Sequence, residues 1–164
     1  MGECIMWPMA YHITWTAYGT WLHGDPRGWV FSGQPCVLPP DNVLHLQMQS
    51  RLVECAVLFD ESQRRILEQT IDDHCRIRGW RLHARNARSN HVHLVVTAER
   101  KPEDVMDQLK AWCSRRLSDA AGLIHDGRAK NAGRRKWFTE HGSTNWIDDD
   151  EYFQNAIRYV TEGQ

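Results

Sequence analysis

Residues 80–98, WRLHARNARSNHVHLVVTA, limit the possible folds of this chain more than any other stretch. Two alternating runs, WRLHARNA and HVHLVVTA, are joined by a short SN turn, a pattern that predicts an antiparallel hairpin. A two-stranded hairpin is marginal alone in water, so further strands or helices must cover it. The flanking segments supply two helices. DESQRRILEQTIDDHCRIRG, residues 60–79, has Asp60 as cap, Gln63 in capping-box position, Gly79 as stop, and Ile66, Leu67, Ile71 and Cys75 on one face. A second helix begins at Pro102 and runs through Leu117, with Val105, Met106, Leu109, Trp112 and Cys113 facing the core.

The rest of the chain completes the pattern. AYHITWTAYGTW, residues 10–21, is rich in β-branched and aromatic residues and predicts a first strand that turns at Gly19. The Gly- and Pro-rich segment that follows is long for a connector and reads as a functional or packed surface loop, with a short helix expected over residues 47–55. KWFTEHGSTNWI predicts a strand with a turn, and DDDEYFQNAIRYVTEGQ a terminal helix. Asp148 to Glu151 put negative charge at the positive end of that helix, and Phe153, Ile157 and Val160 form its apolar stripe. The order is that of an α+β, ferredoxin-like βαββαβ sandwich with an antiparallel sheet and an added C-terminal helix, expected as a single domain over residues 1–164.

Charge is unevenly distributed. The formal net charge is −1, yet residues 76–136 carry 15 basic and 6 acidic side chains, whereas residues 1–75 carry 4 and 9 and residues 137–164 carry 1 and 6. A basic middle third suits a phosphate-bearing partner while acidic ends hold the total near zero, or else is a solvated surface with chance clustering. Five scattered cysteines without a CxxC pair suit a reducing compartment. No apolar run approaches a membrane span, and the opening residues lack the marks of an export signal, so the cytoplasm is the expected location.

His91 and His93 flank one valine on the second hairpin strand, and alternation sends both imidazoles to the same face. Such a pair suits a divalent metal with positions left open for substrate, or else forms two polar residues on a solvated face. The surrounding sequence decides between these. YHITWTAYGTWLHGDPRGWV, RGWRLHARNARSNHVHLVV, LKAWCSRRL, HGSTNW and AIRYVTEGQ occur in order along most of the chain. In that ordered set the chain resembles the single-tyrosine HUH transposases, where U is hydrophobic, and within them the REP-associated tyrosine transposase group.

The resemblance implies a metal-dependent endonuclease and strand transferase that acts on single-stranded or hairpin DNA through a 5′-phosphotyrosine. It implies Tyr159 as nucleophile, His91 and His93 as ligands of Mg2+ or Mn2+, and a third ligand near the end of the chain. Gln164 and Glu162 both stand for that third position, because the Gln that relatives carry four residues after the tyrosine is Gly163 here. Tyr152, two turns earlier, is the alternative nucleophile. Phosphate contacts are expected from Arg81, Arg85 and Arg88, from Lys110, Arg115 and Arg116, and from Arg134, Arg135 and Lys136 beside Trp137. The loop with His23, Asp25 and Arg27 either touches DNA or only shapes a turn. The assembly is expected to be a monomer or a homodimer. The competing function is a domesticated, non-catalytic binder of DNA hairpins, with a water-using hydrolase as a third reading.

Overall fold

The computed structural model describes residues 8–31, 36–123 and 135–163. Its elements are β1 (Ala10–Ala17), α1 (Asn42–Ser50), α2 (Glu61–Arg78), β2 (Arg81–Ala87), β3 (His91–Thr97), α3 (Pro102–Ala120), β4 (Phe138–Ile147) and α4 (Asp150–Glu162). The strands form one antiparallel sheet in the order β2-β3-β1-β4, as the βαββαβ plan requires. Tyr11, Ile13 and Trp15 of β1 and Val92, Leu94 and Val96 of β3 point to α2 and α3 and form the main core. The opposite face carries a smaller cluster, in which Ala10, Val95 and Ile147 meet Ala156 and Val160 of α4.

Local chemistry explains the helix ends. Asp60 accepts from Gln63 N while the Gln63 side chain accepts from Asp60 N, and Gly79 closes α2 at φ 68°. Asp149 caps α4 by accepting from Tyr152 N. Fully buried Val160 then contributes on the order of 1.5–3 kcal/mol to seating α4 on the sheet. A bulge in β2 between Leu82 and Ala84 lets His83 turn to the α4 side, where it bonds Thr97 Oγ1 at 2.8 Å and packs edge-on to Phe153.

Four expectations change. The short helix lies at Asn42–Ser50, not 47–55, because Asp41 caps it by accepting from Leu44 N, and none of its residues is buried, so the apolar pattern gave no guide. Trp112 is 42% exposed on the flank of α3, with the Arg115 guanidinium over its ring, so it is not a core residue. Trp137 is buried, its Nε1 donating to Ser118 Oγ at 2.9 Å, which removes it as a stacking surface for DNA. The strand at Phe138–Ile147 is continuous and Gly142 is no turn.

At Gly142, β4 passes so close to β1 that a Cβ would stand 2.5 Å from the Thr14 carbonyl oxygen and 2.5 Å from Met106 Sδ. Gly142→Ala is therefore expected to destabilise the protein by about 1–3 kcal/mol, the usual range for overpacking, as read from urea denaturation.

Candidate active site

Register builds the site. His91 pairs with Thr16 and His93 with Thr14, so both imidazoles share the α4 face with the alternate residues of β1, including His12. The rings of His91 and His93 lie 4.5 Å apart, centre to centre. α4 then brings Tyr159, with its ring 5.4 Å from that of His93 and 6.0 Å from that of His12. Asn86 ties the end of this helix to the sheet, donating from Nδ2 to Val160 O at 2.9 Å. Thr14, Thr16, Trp21, Arg27, Asn90, His91, His93 and Tyr159 line one pocket of about 250 Å³. Tyr152 and Glu162 are absent from this wall, and Gln164 lies outside the described residues.

The two histidines present the same nitrogen. His91 Nδ1 lies 2.6 Å from Asn90 Oδ1, and His93 Nδ1 lies 2.8 Å from Thr14 Oγ1. With Asn90 Oδ1 accepting, Nδ1 of His91 carries the proton and Nε2 keeps its lone pair. If Nδ1 of His93 likewise donates to Thr14, its Nε2 is left buried without a partner. An orphaned imidazole nitrogen beside a second free one fits a divalent cation as a two-nitrogen half-site, with outer partners that fix each ring. His12 Nε2 is also buried and unpartnered. Among the described residues, however, no three His, Cys, Asp or Glu side chains are arranged to hold a metal, so His12 borders the half-site without completing it.

Electrostatics keeps the imidazoles neutral. Burial pushes the His93 pKa down to about 3, helped by His91, His12 and Arg88. Burial also lowers His91, with the cations of Arg88 and Arg27 adding to it, and burial alone lowers His12. Neutral imidazole is the form that ligates a metal.

Among the described residues, the basic side chains expected to contact phosphates do not line this pocket. Arg88, in the β2–β3 turn, comes near enough to act on both histidines. Arg85 points to the opposite face, where it is held by Asp72 at 2.6 Å and Glu68 at 2.9 Å, an ion-pair cluster that locks β2 to α2. Arg116 meets Asp73, Arg115 covers Trp112, and Arg81 is exposed at the start of β2. Lys110 donates to the carbonyls of Thr139 and Glu140, which occupies its ammonium at the start of β4. Arg135 lies over Trp137 and Lys136 over Tyr18. Arg134 lies outside the described residues.

Sequence reasoning missed Thr14, Asn90, His12 and Trp21. Alternation along YHITWT would have put His12, Thr14 and Thr16 on one face, but not on the face that α4 covers. No helix among the described residues is long and apolar enough to cross a membrane.

A histidine whose folded pKa lies near 3 against an unfolded value of 6.5 binds fewer protons when folded across that interval, so stability rises with pH there. The contribution is complete above 6.5 and is lost as pH falls towards 3. The metal-free protein is therefore expected to lose thermal stability progressively over this window, and His93→Gln to flatten the slope, as measured by circular dichroism melts across pH.

Comparison with known proteins gives the family of the chain. The model of the IS200-like transposases matches residues 50–161. No curated protein matches the chain. Among solved structures, a REP-associated tyrosine transposase bound to a REP hairpin is similar with a TM-score of 0.47 at 13% identity, over 98% of this chain and 70% of that one. A protein of Deinococcus radiodurans R1 assigned as a transposase is similar with a TM-score of 0.49 at 16% identity, over 98% of this chain and 97% of that one. The family match spans α2 through α4, the segment that supplies both histidines and the facing tyrosine, and by it the chain belongs to the IS200-like transposase family.

Proposed function

We propose that the protein cleaves and rejoins single-stranded or hairpin DNA with Tyr159 as nucleophile. The reading is carried by one observation: the ring of Tyr159 stands 5.4 Å from that of His93 within a shared pocket, although the two residues come from separate elements. A phenol with an ordinary pKa near 10 is a weak nucleophile at neutral pH, so it needs help from its site. A divalent cation, Mg2+ or Mn2+, held by Nε2 of His91 and His93, would polarise the scissile phosphate and offset the charge that develops on it. Gln164 is the preferred third ligand and Glu162, the last residue of α4, the alternative.

The chain's own groups do the remainder. Thr14 and Asn90 fix the two rings, and burial keeps them neutral. Tyr159, 47% exposed, can reach a phosphate seated over them. Its oxygen attacks phosphorus, the bond to the 3′ oxygen breaks, and the 3′ end leaves as a hydroxyl while the 5′ end stays on the phenol. One diester replaces another, so the strand can be resealed without a nucleoside triphosphate. The REP hairpin held by the similar structure supports a hairpin substrate here. Arg88 beside the histidines, and the exposed cations Arg81, Arg135 and Lys136, would take phosphates, whereas Arg85 serves the fold.

Incubation with a tailed DNA hairpin and Mn2+ is expected to give a protein–DNA adduct that survives denaturing electrophoresis. Tyr159→Phe should abolish it and His93→Ala should reduce it by at least about 100-fold, the scale on which loss of a key electrostatic group acts. Salt-sensitive hairpin binding without an adduct in any metal would support the non-catalytic reading instead, and cleavage indifferent to Tyr159→Phe would support water as nucleophile.

A further inference from the structure

Among the described residues that line the pocket of His91, His93 and Tyr159, the single Lys or Arg is Arg27, which the proposed cleavage leaves without a task. It comes from the loop after β1, ahead of the residues 50–161 that the family model matches. Its charge reaches the site, because after burial and Arg88 it is the third cause that lowers the His91 pKa.

The loop is built around this side chain. Asp25 is 4% exposed, and its carboxylate takes one edge of the guanidinium, Oδ1 accepting from Nε at 2.8 Å and Oδ2 from Nη2 at 2.7 Å. Nη2 also donates to Thr20 O at 2.7 Å, and Arg27 N donates to Asp25 Oδ1 at 2.9 Å. The contact with Arg27 holds the Asp25 carboxyl down to about 2 and pushes the Arg27 pKa up, so both stay ionised at neutral pH. Gly28 follows at φ 91°, where a Cβ would stand 2.6 Å from Val37 Cγ1, and its carbonyl accepts from Trp21 Nε1 at 2.9 Å.

The guanidinium has donors to spare. Arginine carries five N–H groups in a planar fork. Three are spent in the loop, one from Nε and two from Nη2. The two on Nη1 have no partner among the described residues, and the side chain is 60% exposed although the carboxylate it serves is 5% exposed. Neutralising Asp25 takes one edge of the fork. A further edge, oriented by the first in the wall of this pocket, suits an anion with paired oxygens. Asp25 offsets the charge at a distance, but at contact the two N–H groups still donate.

We propose that Arg27 is a catalytic residue that holds a non-bridging oxygen of the scissile phosphate through Nη1, with Asp25 as its positioning residue. This rests on the tyrosine reading of the same pocket. In the step, the Tyr159 oxygen bonds phosphorus and the bond from phosphorus to the 3′ oxygen breaks. The phenol gives its proton to water, the leaving oxygen takes one from water, and Arg27 transfers none. Charge that builds on the non-bridging oxygens meets a cation already in place.

The test uses a tailed DNA hairpin in which one phosphate at a time along the tail is a neutral methylphosphonate. Binding is measured in chelator, where no strand is cut, and the cleaved phosphate is mapped separately from the Mn2+ adduct of the wild type. The wild type should bind about 10- to 150-fold more weakly when the mapped phosphate is neutralised, the span of a hydrogen bond to a charged group. Arg27→Gln should weaken binding of the unmodified hairpin by a similar factor, lose nothing further at that one position, and form its adduct at least about 100-fold more slowly at saturating DNA. Arg27→Lys keeps a charge beside Asp25 without the planar fork, so a role confined to shaping the turn predicts wild-type behaviour and the proposal predicts that most of the loss remains. Because Arg27→Gln leaves a buried carboxylate unpaired, the double variant Asp25→Asn/Arg27→Gln is measured beside it and should show the same lost sensitivity. If both Gln variants fail to fold, Arg27→Lys decides. No loss on neutralising the mapped phosphate in the wild type, full sensitivity in a folded Gln variant, or wild-type behaviour of Arg27→Lys would overturn the inference. An adduct from the wild type together with any of these leaves cleavage standing and removes Arg27 from it, whereas no adduct in any divalent metal removes both.

Discussion

The pairing of β1 with β3 is the constraint on which the rest of the structure depends. It is the central ladder of the sheet, and its register sets Thr14 against His93 and Thr16 against His91. A slip of one residue would turn both imidazoles into the α2–α3 core and bring Val92 and Leu94 out under α4. The register is secured from the other face, where Tyr11, Ile13 and Trp15 interlock with Val92, Leu94 and Val96 beneath two helices. Packing on one side of the sheet thereby fixes chemistry on the other.

α4 supplies what the sheet lacks. Its contact is small, resting on Ala156, Val160, Phe153 and Ile157 against Ala10, Ala84, Val95 and Ile147, and on the bond from Asn86. That is sufficient to place Tyr159 over His93 and His12 while leaving the phenol exposed. The modest seat suits the cleavage proposed above, in which the tyrosine would reach a phosphate and carry a strand. The histidines, by contrast, lie on an internal strand and are oriented by Thr14 and Asn90, so the fixed and the reaching partners of the pocket come from elements of different anchorage.

Much of the fold was legible because local chemistry and global packing agree. Asp60 with Gln63, Gly79, Pro102 and the alternating hairpin strands are signals whose partners are near in sequence, and each stands where the reading put it. The errors have a common cause. α1 buries nothing and so shows no periodicity, Trp112 stays on the flank of α3 under Arg115 one turn along while Trp137 is buried through its bond to distant Ser118, and Gly142 serves a close strand crossing instead of a turn. Arg85 looked like its basic neighbours until the β2 bulge turned it towards Asp72 and Glu68 on α2.

The sequence by itself determined that His91 and His93 share a face, that the element order is ferredoxin-like, and that Tyr159 lies on a helix with an apolar stripe, because strand and helix periods are properties of the local chain. Only the tertiary structure decided which face of the sheet α4 covers, that Thr14, His12 and Trp21 join the histidines, and that Arg85 and Arg116 are taken up by carboxylates of α2. Those outcomes depend on contacts between residues far apart in the chain, where burial, pairing and charge compete, and no short window of sequence contains both partners.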